Sequence, residues 1–199
     1  MPAHERAACI ERKTSETSIL LSLNLDGRGT ADIHTGSGFF DHMLHHVARH
    51  GLFDLTIRCD GDTHIDHHHS VEDVSLCLGQ ALREALGDKR GIARYGHAVV
   101  PMDDALVEVA VDLSGRPHLA CQLPFPTQAI GTFDCELVRE AMQAIANAAS
   151  LNLHVLGRAG INSHHLAEAA FKALGRALRA AVTIDPRAAD QIPSTKGSL

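Results

Sequence analysis

Residues 68–73 read HHSVED, and residues 164–169 read HHLAEA. The second stretch follows the first by 96 positions and repeats two histidines and a glutamate as HHxxE. A single HHxxE at a helix start is more often solvated surface than a ligand set. Chance rarely repeats a histidine pair and its carboxylate at matched positions, so the repeat argues for an internal duplication and for metal binding. The surroundings repeat too: GLFDLTI (51–57) precedes the first copy as SLNLHV (150–155) precedes the second. A period near a hundred residues is too long for a solenoid.

Working outward, β-prone runs broken by polar turns predict strands near 5–12, 17–25 and 30–34, with DGRG (26–29) as a hairpin turn. Phe39, Phe40, Met43, Leu44 and Val47 recur at helical spacing, which predicts a helix over 37–51 with Ser37 as N-cap and Gly51 as its stop. Residues 52–60 alternate like a strand. A helix is expected over 70–87, with Ser70 and Asp73 as a capping box and Gly87 at its end. The order then restarts: three strands within 95–123 (112–117 as a turn), a helix over 133–150, a strand over 151–158 and a helix over 163–182. The predicted class is α+β, two β-β-β-α-β-α halves (1–92 and 93–199), each a four-stranded sheet with helices on one face.

Composition narrows the function. The 199 residues suffice for a core without staples. A net charge of −6 speaks against a sequence-independent nucleic-acid binder. No apolar run approaches the roughly 20 residues of a membrane span. Five scattered cysteines, an odd number with no CxxC pair, point to free thiols in a reducing cytosol. Histidine is the outlier: eight of the 15 fall between His42 and His69.

Residues i and i+4 share a helix face, as do i and i+3, so Glu72 can approach both His68 and His69. Adjacent helical residues diverge by about 100°, so the two histidines can hardly chelate one ion together. One HHxxE therefore serves two ions, or half of each of two sites. Four imidazoles and two carboxylates suit a dinuclear site of Mn, Fe, Co, Ni or Zn, and are too nitrogen-rich for Ca or Mg. A structural zinc site would favour cysteines. His67 reads equally as a loop residue or a ligand, and His64 as polar surface. Two rival functions fit these residues: a dinuclear metallohydrolase acting on a phosphorylated small molecule, and a non-catalytic metal buffer.

GFFDHML (38–44), GDTHID followed by HHxxED, SGRP (114–117), NSHHLAEAAFKALGRAL (162–178) and PSTKG (193–197) occur in order over nearly the whole chain. Together they resemble the monofunctional imidazoleglycerol-phosphate dehydratase family. The resemblance implies a ribosomal protein S5 domain 2-like fold. It also implies removal of water from imidazole glycerol phosphate to give imidazole acetol phosphate in histidine biosynthesis, in the cytoplasm. Two Mn(II) ions per site and 24-subunit particles with sites between subunits are part of it. The metal ligands it implies are His42, His68, His69, Glu72, His164, His165 and Glu168. A further ligand position, histidine in many relatives, is Glu140 here. Glu140 stands 24 residues before His164, as His42 stands 26 before His68. It either takes the ligand role or pairs with Arg139 or a neighbour at the surface.

By the same resemblance, substrate contacts fall on Glu16, His42, His50, His68, Glu72, Arg94, Arg116, Ser194, Thr195 and Lys196. Read by composition alone, Glu16 is a solvated turn, Arg94 a surface arginine and PSTKG a frayed tail. His45 and His46 either line the pocket or cap the helix. Two Lewis acids on the ring nitrogens would hold the imidazole as imidazolate, which helps expel the C3 hydroxyl through a diazafulvene-like species. Loss of the C2 proton then gives an enol. Glu168 is the expected acid–base, Glu16 the hydroxyl-side partner, and Glu72 a further catalytic carboxylate.

Overall fold

The computed structural model describes residues 6–199. Its first half runs β1 (Ala7–Lys13), β2 (Thr17–Asn24), β3 (Ala31–His34), α1 (Gly38–Gly51), β4 (Asp54–Gly61) and α2 (His68–Leu86). The second half runs β5 (Tyr95–Met102), β6 (Ala105–Asp112), β7 (His118–Gln122), β8 (Ala129–Ile130), β9 (Phe133–Asp134), α3 (Glu136–Ala149), β10 (Asn152–Ala159) and α4 (Ser163–Val182). Residue 5, expected to open the first strand, lies outside the described residues.

The halves share one topology. The first sheet has the order β1-β2-β4-β3 and the second β5-β6-β10-β7. In each, the third strand (β3, β7) lies parallel to the strand after the first helix (β4, β10), and the other pairs are antiparallel. A parallel neighbour needs a long crossover, which α1 and α3 provide. Ile19, Leu21 and Leu23 point from β2 into the core, as Val107, Val109 and Val111 do from β6. The short β8–β9 ladder, which no sequence signal anticipates, interrupts the second half between β7 and α3.

DGRG makes no hairpin. It joins β2 to β3, which are separated in the sheet by β4, and Asp54 Oδ1 accepts from the amides of Arg28 and Thr30 at 2.9 Å to shape it. The tight turns lie elsewhere: Lys13 pairs with Ser18 around Glu16, and Met102 pairs with Ala105 around Asp103 and Asp104. The capping box fails as well. Helix α2 starts at His68, and Asp66 Oδ1 accepts its amide at 2.7 Å. Ser70 is buried with no hydrogen-bond partner for Oγ among the described residues. Asp73, also buried, accepts from Thr17 Oγ1 (2.6 Å) and pairs with Arg12 (2.8 Å), tying α2 to the β1–β2 turn. Ser37 holds the N-cap position of α1 without a side-chain cap bond; Asp41 instead accepts from the Thr35 amide and hydroxyl.

The last helix of each half covers its own sheet, α2 on β1 and β2, α4 on β5 and β6. The first helix of each half packs on the last helix of the other: α1 on α4, and α3 on α2. Two glycines 96 residues apart permit this. A Cβ at Gly175 would stand 2.8 Å from the Val47 carbonyl oxygen of α1, and one at Gly79 would stand 2.7 Å from the Ile145 carbonyl oxygen of α3. A mid-helix glycine costs roughly 1 kcal/mol of helix propensity relative to alanine, and here the close approach offsets it.

Gly175→Ala should therefore lower the unfolding free energy by about 1–3 kcal/mol through overpacking, despite its better propensity. Urea unfolding of the metal-free protein measures the sign.

Candidate metal and active site

Helix α4 opens with Asn162 as its cap, whose Oδ1 accepts from the amides of His164 (2.9 Å) and His165 (3.3 Å). Asn162 stands 96 positions after Asp66, so both HHxxE copies begin on a helix capped by an Asx side chain two residues before the first histidine. Both histidine pairs then take the same geometry. Ring centroids lie 6.1 Å apart in each, with interplanar angles of 86° for His68–His69 and 85° for His164–His165. Neighbouring rings at right angles face different directions, as helical divergence requires.

Where α1 crosses α4, the side chains of the two halves meet. Ligand atoms of His42, His164 and Glu168 lie within 4.8 Å of one another. Glu168 is 6% exposed. Its Oε2 faces His164 Nε2 at 3.0 Å and His42 Nε2 at 3.3 Å. Its Oε1 is held by Lys172 Nζ at 2.6 Å and faces His46 Nε2 at 3.3 Å. Burial by itself would push the Glu168 carboxyl up, but the bonds from Lys172 and His164 overcome it and hold the group at about 2. Burial pushes His46 down to about 4, and it lowers His50 as well, with Lys172 and Arg176 adding to the effect. His42, His46 and His50 follow one another along α1, with centroid separations of 4.4 and 5.8 Å.

Two imidazoles and an ionised carboxylate suit a divalent metal of intermediate softness. A cation there would replace the protons that the imidazole nitrogens now direct at Glu168. His68, His69 and Glu72 form no such group with His42, His164 and Glu168 within the chain. His69 lies instead beside Asp62 and the β1–β2 turn, with Nε2 3.7 Å from Glu16 Oε1. Glu140 is partly exposed on α3, 3.7 Å from Arg139 Nη1. His67 takes the N-cap position of α2, with Nδ1 buried and unpaired among the described residues.

PSTKG is not frayed. Gln191 O accepts from the Gly91 amide at 2.8 Å, and Arg94 Nη1 donates to the Pro193 carbonyl at 2.8 Å. The end of the tail reaches the SGRP turn, where a Cβ on Gly115 would stand 2.8 Å from the Leu199 carbonyl carbon. The tail is thus held against Arg94 and the SGRP turn by packing that sequence spacing cannot show. Arg94 itself is far from an ordinary surface arginine. It adopts φ +71°, and its Nε and Nη2 bind Asp112 at 2.7 and 3.2 Å. Such a backbone persists only where the surroundings enforce it.

The imidazoleglycerol-phosphate dehydratase family model matches residues 35–178, a span that includes both HHxxE copies. The chain belongs to the imidazoleglycerol-phosphate dehydratase family. It is accordingly an enzyme, a hydro-lyase. Proteins of that name from Dinoroseobacter shibae and Jannaschia sp. are each 63% identical over 194 residues, covering 98% of this chain and all of theirs. The crystal structure of the Staphylococcus aureus enzyme superimposes with a TM-score of 0.82 at 37% identity, covering 90% of this chain and 99% of that one. That of the Pyrococcus furiosus enzyme, in complex with (S)-C348, gives 0.83 at 35%, covering 96% of this chain and all of that one. The α+β duplication read from the sequence agrees with these structures. Asp62, Asp66, Asp104, Asn162 and Lys172 escaped the sequence reading. The Asx residues two positions before each histidine pair were the one usable signal.

Arg94→Ala should release the tail. Hydrogen exchange of residues 190–199 should quicken, while exchange in β6 and α4 stays near wild type.

Proposed function

We propose that the chain converts imidazole glycerol phosphate to imidazole acetol phosphate and water in histidine biosynthesis, through a dinuclear site assembled from two half-sites. The convergence of His42, His164 and Glu168 carries this reading, since it presents imidazole and carboxylate donors around one point. His42, His164, His165 and Glu168 form one half-site; His68, His69, Glu72 and Glu140 form the other, with Glu140 in the role His42 plays at its counterpart. The exchanged packing supports that parallel, because α1 lies on α4 as α3 lies on α2. Two Mn(II) ions bound there would supply Lewis acidity to hold the substrate ring as imidazolate.

The chain's own groups do the rest. Glu168 stays ionised at neutral pH and can take the C2 proton and return one. A carboxylate held at about 2 is a weak base, so the proton has to be acidified on the substrate itself. Lys172 keeps its Oε1 in place. Glu16, in the turn facing His69, serves the departing hydroxyl, and Glu72 on α2 is a further catalytic carboxylate. His50 and His68 contact the substrate. The phosphate is held by Arg116, Ser194, Thr195 and Lys196, whose charge and fixed donors suit it. Arg94, with its guanidinium engaged by Asp112 and Pro193, serves that site by fixing the tail.

Since the two HHxxE copies do not converge within one chain, complete sites form between copies, in a homo-oligomer of 24 subunits by family resemblance. Residues 1–92 and 93–199 are the two half-repeats of one catalytic unit, and the enzyme works in the cytoplasm. Among the described residues no helix is long and apolar enough to cross a membrane.

Incubation of Mn-loaded protein with imidazole glycerol phosphate tests the reading. The product should keep its phosphate, which separates dehydration from hydrolysis. His68→Ala should be inactive. Glu168→Gln should leave KM within a few-fold and reduce kcat by at least about 100-fold, the scale of general acid–base catalysis. Near-normal kcat in Glu168→Gln would reject its role.

A further inference from the structure

The second histidine of each HHxxE is gripped from behind by an aspartate that lies outside the motif. His69 Nδ1 is 2.9 Å from Asp62 Oδ2, and His165 Nδ1 is 2.5 Å from Asp104 Oδ1. An ionised carboxylate only accepts, so each ring must donate Nδ1–H to it. In a neutral imidazole that leaves the lone pair on Nε2. Each Nε2 faces forward to a carboxylate in a hairpin turn, at distances too long for a hydrogen bond: 3.7 Å to Glu16 Oε1 from His69, and 3.6 Å to Asp103 Oδ2 from His165. The ring is fixed at one nitrogen and left free at the other.

The two grips are not copies of each other. In the shared topology Asp104 directly precedes β6 as Glu16 directly precedes β2, and Asp62 directly follows β4 as Gly160 directly follows β10. Asp62 follows β4, whereas Asp104 lies in the β5–β6 turn. Their supports differ as well. Asp104 Oδ2 accepts from the amides of Ile161 (2.6 Å) and Asn162 (3.1 Å), anchoring it to the start of α4. Asp62 donates its amide to the Glu16 carbonyl at 3.1 Å, and its Oδ1 is buried without a partner among the described residues. Unrelated positions therefore make the same bond to equivalent histidines, and the two ring pairs end in the same geometry to within one degree, 86° against 85°.

We infer that Asp62 and Asp104 are positioning residues that fix the tautomer and direction of His69 and His165, so that Nε2 is the metal-binding atom in both. This rests on the reading of HHxxE as a metal site. An aspartate behind a ligating histidine both orients the ring and raises its basicity. The aspartates touch neither substrate nor metal.

The test is Mn(II) binding to the metal-free protein, measured by competition with a chelator, beside urea unfolding of the same metal-free samples. Asp62→Asn keeps the shape of the side chain but removes the charge and can turn an NH2 toward Nδ1, which would move the ring proton to Nε2. It should weaken binding of Mn(II) roughly 10- to 100-fold with an unchanged unfolding midpoint. Asp104→Asn should weaken Mn(II) binding similarly, and because Asp104 also anchors backbone amides, Asp62→Asn is the cleaner variant. Wild-type Mn(II) affinity in both variants would overturn the inference. So would a loss of affinity matched by a loss of metal-free stability in both, which would make them folding residues. His69→Ala separates the two layers. Lost affinity in His69→Ala with wild-type affinity in Asp62→Asn refutes the positioning role alone. Unchanged affinity in His69→Ala refutes the metal site and the positioning role with it.

Discussion

Moving a carboxylate out of water costs several kcal/mol unless charge and hydrogen bonds replace the lost solvation. Glu168 is 6% exposed and remains strongly acidic. Lys172 comes from one turn further along α4, and His164 from one turn before. His42 and His46 come from α1, a helix of the other half. Lys172 and His164 thus satisfy one oxygen each from α4 itself, and α1 adds His42 and His46, so His42, His164 and Glu168 come together only when the two halves have docked. Gly175, which lets the backbones approach, is as much a part of the site as the ligands are.

The same constraint explains why duplication did not produce two independent domains. Each half's first helix packs on the other half's last helix, so neither half covers its own helices alone. The exchange also brings His42 to Glu168 and leaves His68, His69 and Glu72 facing another surface. A single chain thus gathers His42, His164 and Glu168 at one point and keeps the other HHxxE apart from them. The C-terminal tail follows a related logic. It crosses back to Gly91, Arg94 and Gly115, which lie far from it in sequence.

Much of this was legible in the sequence. The 96-residue repeat fixed the class and the helix carrying each HHxxE, because histidine pairs and apolar periodicity are local signals. Long-range choices were not legible. DGRG has hairpin composition, yet β4 inserts between the strands it joins, and strand order is decided by the sheet as a whole. Ser70 and Asp73 have capping-box spacing, but tertiary contacts turn Asp73 to Thr17 and Arg12, while Asp66 supplies the cap. The grips on His69 and His165 come from a strand end and a hairpin turn, so no spacing rule joins them to the motif. Composition favoured a frayed tail at PSTKG; family resemblance alone gave it a role.

The central claim is that each site takes one HHxxE half from each of two copies. Subunit complementation measures it most directly. His68→Ala and His164→Ala chains, each inactive alone, would be mixed, dissociated and reassembled with Mn(II), and dehydration of imidazole glycerol phosphate followed. Shared sites predict activity well above the sum of the two parents, because some sites then receive His68 from one chain and His164 from the other. A mixture no more active than its parents would place both halves of the site in a single chain and contradict the account.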